Sequence, residues 1–259
     1  MLKEIIISIQ AYFKAHQFIK EHKLWKWILL PGIIYTLMFA ISMYFFSKTA
    51  NGFTEWLTIK VGLKNWLDRM QSSFLGFFFT LGGMILWMIQ MLLYFSLFKY
   101  LFLIIGSPVF AYLSEKTEAI IQGKDFPFSF SQLFKDIIRG VRIALRNSVW
   151  QTVYMFSILI IAFIPIVGLA TPLITILIEC YYYGFSMLDY SMERNKKTAA
   201  ESIFFVSHHK GLAIGNGIVF YLMHLLPFIG WLLAPAYSVI AATISLHSAK
   251  QTIETSNQQ

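Results

Sequence analysis

From Trp27 to Ser47 the chain carries no charged residue. As a helix that run is about 30 Å long, the thickness of a bilayer's hydrocarbon core. Backbone inside lipid must satisfy its own hydrogen bonds, and a helix does so without a partner. The chain is therefore expected to be an integral membrane protein. Its composition agrees: 57 % of its 259 residues are hydrophobic and only 13 % are charged. The first twenty-six residues carry charge throughout, which does not fit a cleaved signal peptide with its short basic start and apolar core. A single cysteine, Cys180, excludes an intramolecular disulfide and a cysteine-rich metal site.

The net charge of +8 is read as topological. Lys and Arg collect on the cytoplasmic side of membrane proteins, and no basic, aromatic-interleaved nucleic-acid motif is present. The expected partner is the bilayer, with no nucleic acid.

Along the chain, residues 1–22 place Ile5, Ile6, Ile9, Phe13, His16 and Ile19 or Lys20 at three- and four-residue steps, the pattern of an amphipathic helix on the membrane surface. Residues 27–47 form the first spanning helix, 48–73 an external loop or short helix, and 74–105, apolar but for Lys99, a second spanning helix. Lys99 is expected to snorkel to the interface. After Gly106-Ser107-Pro108 the chain turns polar, with Asp125-Phe126-Pro127 as a break. Residues 131–147 set Leu133, Phe134, Ile137, Ile138, Val141 and Leu145 against Lys135, Arg139, Arg142 and Arg146, a second interfacial helix. Two apolar runs follow, 148–188 and 212–247, each broken near its centre. Their halves are short for a full crossing, so each reads as a helical hairpin inserted in the membrane. The basic residues then fall on one side with both termini cytoplasmic, whatever the depth of the hairpins. The expected fold class is an all-α integral membrane protein of one domain over 1–259, with two long transmembrane helices, two Pro/Gly-tipped hairpins and amphipathic interfacial helices.

The hairpin breaks, "PIVGLATP" at 165–172 and "PFIGWLLAP" at 227–235, share a design. The first proline stops a helix, Gly168 or Gly230 gives the backbone freedom to reverse, and Pro172 or Pro235 opens the next helix. Thr171 is placed to cap the first return helix, whereas Ala234 offers the second no cap, leaving the amides after it bare. Non-helical backbone at depth belongs against protein or a watery cavity, so both tips are expected to face inward. Broken helices of this kind hold anions within membranes, although hairpins that merely wedge into a bundle have the same sequence.

Ionisable residues within the runs are candidate pore or gate groups: Glu179, seven residues past Pro172, and the deeper His224. Thr171, Gly168, Gly230 and Pro235 join them as tip residues. His208-His209 lack a further ligand at metal spacing, and "GLAIGNG" at 211–217 lacks the strand of a dinucleotide site, so its glycines are read as helix-packing positions. No catalytic residue, cofactor or metal site emerges, and the chain is not expected to be an enzyme.

Four segments, "KLWKWILLPGIIYTL", "GSPVFAYLSEKTE", "YYYGFSMLDYSMERN" and "PFIGWLLAPAYSVIAAT", together resemble the CysZ-like sulfate permeases and the related etoposide-induced membrane proteins. The resemblance runs from about residue 10 to 248. It implies an oligomeric inner-membrane protein with two long spanning helices and two hemi-penetrating hairpins, and sulfate uptake as the activity. It further implies an anion-binding site at Lys23, Leu24, Trp25 and Lys26, where the family has Gly-Leu-Arg-Arg. Here the glycine and first arginine are replaced and the second is Lys26, which lacks the planar fork arginine offers an oxyanion. Asp189-Tyr190 and Glu115-Lys116 also match family positions. The reading is a permease or channel for a small inorganic anion, passive or ion-coupled. A non-transporting membrane scaffold is the alternative.

Overall fold

The computed structural model describes residues 1–60, 74–124, 130–162, 167–194 and 197–256. Among these the chain is all-helical, with eight α-helices. They are α1 (Leu2–Glu21), α2 (Trp25–Lys60), α3 (Phe74–Gln122), α4 (Phe130–Ala162), α5 (Thr171–Arg194), α6 (Ala199–His208), α7 (Lys210–His224) and α8 (Ile229–Ser256), with a 3-10 turn at Val167–Ala170. Two helical stretches are long and apolar enough to cross a membrane among the described residues: Trp25–Thr49, close to the run expected at 27–47, and Ile229–Ala249.

The described helices fall into two compact units, Met1–Thr36 with Tyr100–Gln259, and Leu37–Lys99. Within the smaller unit the two helical segments meet through aromatic rings: Phe39 lies against Phe98, and Phe46 against Trp87 and Tyr94. Lys99 is buried there instead of reaching for the surface.

Several helix ends differ from the sequence reading. The first spanning helix does not stop at Ser47 but runs on to Lys60, through Asn51-Gly52, with the remainder of the expected external loop outside the described residues. The second passes through Gly106-Ser107-Pro108 without a break, to Gln122. Pro108 has no amide for the carbonyl of Ile104, four residues back, and the Ser107 hydroxyl donates to that carbonyl instead, at 3.0 Å. Gly106 leaves room for the fully buried ring of Phe110. The expected basic helix 131–147 and first hairpin arm are one helix, α4, of 33 residues. Its lack of any proline leaves nothing to separate them. Asp125-Phe126-Pro127 lies outside the described residues.

The core of the larger unit is built by α5, α7 and α8, with α1 laid across α7 and α8. Close approach is the organising feature. A Cβ on Gly217 would overlap the Cys180 carbonyl, and one on Gly184 would overlap that of Ala213, so α5 and α7 touch backbone to backbone. On its other side α7 meets α1: a Cβ on Gly211 would overlap the Met1 carbonyl, and one on Gly215 would come within 2.9 Å of Ile5. The glycines of "GLAIGNG" are packing positions, and α7 uses them on two faces. Around them Ser8 donates to the Leu212 carbonyl and Tyr12 to that of Asn216, both at 2.8 Å. Consequently α1 buries Ser8, Ala11, Tyr12, Ala15 and Ile19, while Ile6 and Phe13 of the expected apolar face are exposed. Small residues win this interface because only they let the helices come so near.

The second hairpin turns at residues 225–228, between α7 and α8. Phe228 carries the positive φ, at 62°, and Gly230 does not. Gly230 is required for space, since a Cβ there would overlap the Met223 carbonyl. Pro235 lies inside α8 and Ala234 is fully buried, so the expected bare amides after Ala234 do not exist. The turn satisfies its backbone locally, with Leu226 N–H donating to Met223, Ile229 to Pro227 and Gly230 to Leu226. That leaves the tip free to point apolar side chains outward: Leu225, Leu226, Phe228 and Ile229 are all exposed, against the expectation of an inward-facing tip. At the first tip Pro165 lies outside the described residues. Gly168 sits in the 3-10 turn with no positive φ, and Thr171, already helical, donates to the Gly168 carbonyl at 2.6 Å instead of accepting as a cap.

Candidate functional site

The expected site residues fall into three groups. The first is the turn joining α1 to α2. Lys23 takes a positive φ of 54°, the Leu24 amide bonds the Ile19 carbonyl, and Leu24 is buried as the hinge of the turn. Trp25 and Lys26 open α2 and are exposed, as is Lys23. Trp25 meets His16 edge-on, and His16 in turn hydrogen-bonds the Tyr237 hydroxyl at 2.8 Å. Two ammonium groups thus stand in solvent beside a helix amino terminus, where an anion is favoured. The fork geometry that arginines would provide is missing.

The second group surrounds Glu179, in α5, which is buried. One carboxylate oxygen accepts from the Gln151 side-chain amide of α4, the other from the Tyr221 hydroxyl of α7 at 2.8 Å. The Gln151 amide oxygen in turn accepts from Tyr100 of α3 at 2.5 Å. The amide is oriented by this chain, because its oxygen must face the tyrosine and its nitrogen the carboxylate. Glu179 thus links α5 to both α4 and α7.

This cluster is one rung of a polar seam between the antiparallel α4 and α5. One step toward the other end of the seam Asn147 donates to Ser186 at 3.3 Å. Beyond it Arg139 donates to Asp189 at 2.9 Å and to Ser202 of α6 at 2.8 Å, and also to the Lys197 carbonyl. Past Glu179, toward the tip, α5 continues with the buried hydroxyls of Thr175 and Thr171, while α4 turns apolar at Met155 and Ile158. From Asp189 to Glu179 the seam covers about 15 Å of helix.

At its outer end Glu193 lies 3.8 Å from Arg139 and five residues beyond the apolar run. Burial pushes its carboxyl up to about 8, Arg139 opposing and Asp189 and Glu115 adding to the shift. In the following turn Thr198 and Glu201 form a capping box that starts α6, and the backbone and side-chain bonds from Thr198 hold the Glu201 carboxyl below its usual range.

The third group is at the second tip. His224 ends α7, its ring stacked on Phe220 and set edge-on to Tyr35, whose hydroxyl is 3.4 Å from either ring nitrogen. Its carbonyl accepts from the Trp231 indole at 3.0 Å. The Phe220, Tyr35 and Trp231 rings pack around it.

Glu179 and His224 were legible as ionisable residues in apolar runs, yet their partners were not singled out. Gln151 had a signal, as the sole amide side chain in the stretch from Ser148 to Ala162. Tyr100 and Tyr221 had none, since tyrosines abound in this chain. Arg139 was seen only as part of a basic face. Among the described residues no group of His, Cys, Asp and Glu is arranged to hold a metal ion.

Comparison with known proteins bears on these groups. Curated relatives named "Sulfate transporter CysZ" include those of Pseudomonas aeruginosa (strain LESB58), 26 % identical over 221 residues, or 84 % of this chain and 85 % of the relative. Those of Pseudomonas fluorescens (strain Pf0-1) and Pseudomonas syringae pv. tomato (strain DC3000) are each also 26 % identical over 84 % of this chain, covering 83 % and 82 % of their own lengths. The family model described as "Sulfate transporter CysZ/Etoposide-induced protein 2.4" matches residues 11–235, which takes in all three groups. With most of its length matched, this all-helical chain belongs to the Sulfate transporter CysZ/Etoposide-induced protein 2.4 family.

Proposed function

We propose that the protein is a membrane transporter of a small inorganic anion, with sulfate as its substrate. The observation that carries this reading is membership of the family over residues 11–235, alongside relatives named as sulfate transporters across most of their length. The polar seam supports it physically. Buried hydroxyl, amide and charged side chains aligned between two helices are costly in an apolar protein and are retained where something polar must pass or be held. Anions gather at Lys23 and Lys26 and meet the amides at the start of α2. They then move past the hairpins, where Glu179, His224, Thr171, Gly168, Gly230 and Pro235 are the gate candidates. Movement is passive or coupled to an ion, in a homo-oligomer of the inner membrane with both termini cytoplasmic. No catalysis is involved.

The test is radiolabelled sulfate flux into liposomes holding the purified protein, with Lys26→Ala alongside. Flux above empty liposomes that falls in the variant supports both transport and the site. Flux untouched by Lys26→Ala discards the site alone. Absence of flux for sulfate and for competing anions leaves the non-transporting scaffold.

A further inference from the structure

Where α2 begins, its Trp27 ring packs on Tyr112 of α3 with centroids 4.2 Å apart. The Lys116 ammonium lies over both rings, 5.6 and 5.7 Å from their centroids. Lys116 is therefore held in place by two π faces, while its N–H groups keep their capacity to donate. Lys23 and Lys26 stand exposed at the same helix start. The carboxylates near in sequence are Glu115 and Glu118, the latter buried and accepting from Gln122 at 2.5 Å, and Glu21, which accepts from Gln17 at 2.8 Å.

Directly along α2 from this cluster runs an exposed aliphatic stripe. Leu30 and Ile33, one and two turns on from Lys26, are 47 % and 51 % exposed. From Trp27 to Ile33 the helix rises about 9 Å. Cations and half-exposed tryptophan at one level with bare aliphatic surface just beneath is the chemistry of one molecule whose phosphate adjoins an acyl chain. A free oxyanion has no use for the stripe, and a neutral lipid has none for the ammonium. Tryptophan and tyrosine also favour the headgroup level of a bilayer.

We infer that the Trp27, Tyr112 and Lys116 cluster, with Leu30 and Ile33, is a binding site for a phospholipid with an anionic headgroup. Its phosphate is taken by Lys116 with help from Lys26, and one acyl chain lies along the stripe. The site does not rest on the transport reading, because it requires no flux, although the two share Lys26.

The experiment titrates the purified full-length protein with phosphatidylglycerol and with phosphatidylcholine, counting bound lipid by native mass spectrometry. At least one phosphatidylglycerol is expected to bind about fivefold more tightly than phosphatidylcholine, the effect of one basic side chain at an anionic surface. Lys116→Gln removes that preference and Lys116→Arg keeps it. Trp27→Leu, which frees the lysine and leaves the aliphatic stripe, weakens phosphatidylglycerol binding and carries the test should Lys116→Gln fail to elute as a folded species. Equal binding of the two lipids, or a preference unchanged in both Lys116→Gln and Trp27→Leu, overturns the proposal. So does displacement of phosphatidylglycerol by an equal concentration of inorganic phosphate, which makes the site one for a free anion.

Discussion

The Tyr221 hydroxyl donates to the Glu179 carboxylate at 2.8 Å, joining α7 to α5. Since the other carboxylate oxygen takes the Gln151 amide, this one residue links α4, α5 and α7. Glu179→Ala leaves Tyr221 and Gln151 facing a void. Each lost partner costs about 1–3 kcal/mol when the remaining group is buried. We expect the variant to melt lower than the parent and to lose sulfate flux. Tyr221→Phe, which removes one donor and almost no volume, should keep the fold and reveal in the flux assay how far the carboxylate's placement matters.

Lys26 is exposed at the start of α2, where the proposed anion site lies. Lys26→Arg supplies the planar fork suited to an oxyanion, whereas Lys26→Ala removes the charge. Sulfate uptake at low substrate concentration should rise or hold in the first and fall in the second. Equal uptake in all three forms would move the entry point elsewhere.

Glu193 supplies a pH dependence of stability. Its carboxyl is raised to about 8 in the fold by burial. Between the usual carboxylate range and that value the folded chain retains a proton that the unfolded chain has released. Stability from this group is therefore fully present below about pH 4 and is lost as pH rises through about 8. Melting temperature followed from pH 5 to pH 9, roughly that window, should decline less steeply in Glu193→Gln than in the parent. Identical slopes would show that the carboxyl ionises normally.

Glycine substitutions separate packing from propensity. Gly217→Ala drives a methyl into the Cys180 carbonyl, a clash with backbone that cannot step aside, and should destabilise by about 1–3 kcal/mol. Gly52→Ala in α2 meets nothing within 4 Å and should stabilise by up to about 1 kcal/mol through helix propensity. Thermal melts of the two variants in the same detergent check the contrast, which is one of sign.

These outcomes rest on features that the sequence disclosed unevenly. Apolar length alone marked 27–47, and the packing role of Gly211, Gly215 and Gly217 followed from their small size in an apolar context. The helix ends were harder. Gly106-Ser107-Pro108 has every local mark of a break, yet the Ser107 hydroxyl serves the acceptor that proline abandons. Pro235 looked like a helix start because the turn was assigned to Gly230. The reversal falls instead on Phe228, a residue whose type does not advertise a positive φ. Likewise hydrophobicity does not decide the buried face of α1, which docks by Ala11, Ala15 and Ser8 and leaves Phe13 outside. In a chain surrounded by lipid, closeness of approach sorts the faces, and large apolar groups have no reason to turn inward. Of the site, the isolated Glu179 was legible. Its three-helix setting was not, since nothing in one sequence pairs Gln151 with Tyr100 and Tyr221.

The absence of an interruption between the basic part of α4 and its apolar part has a mechanical meaning. Beyond Gly140 the helix contains neither glycine nor proline to its end at Ala162, so this part bends little and acts as a stiff lever about 33 Å long. Arg139 bolts one end to α5 and α6. A tilt of a few degrees about that bolt swings the far end by roughly an ångström or two over the remaining turns.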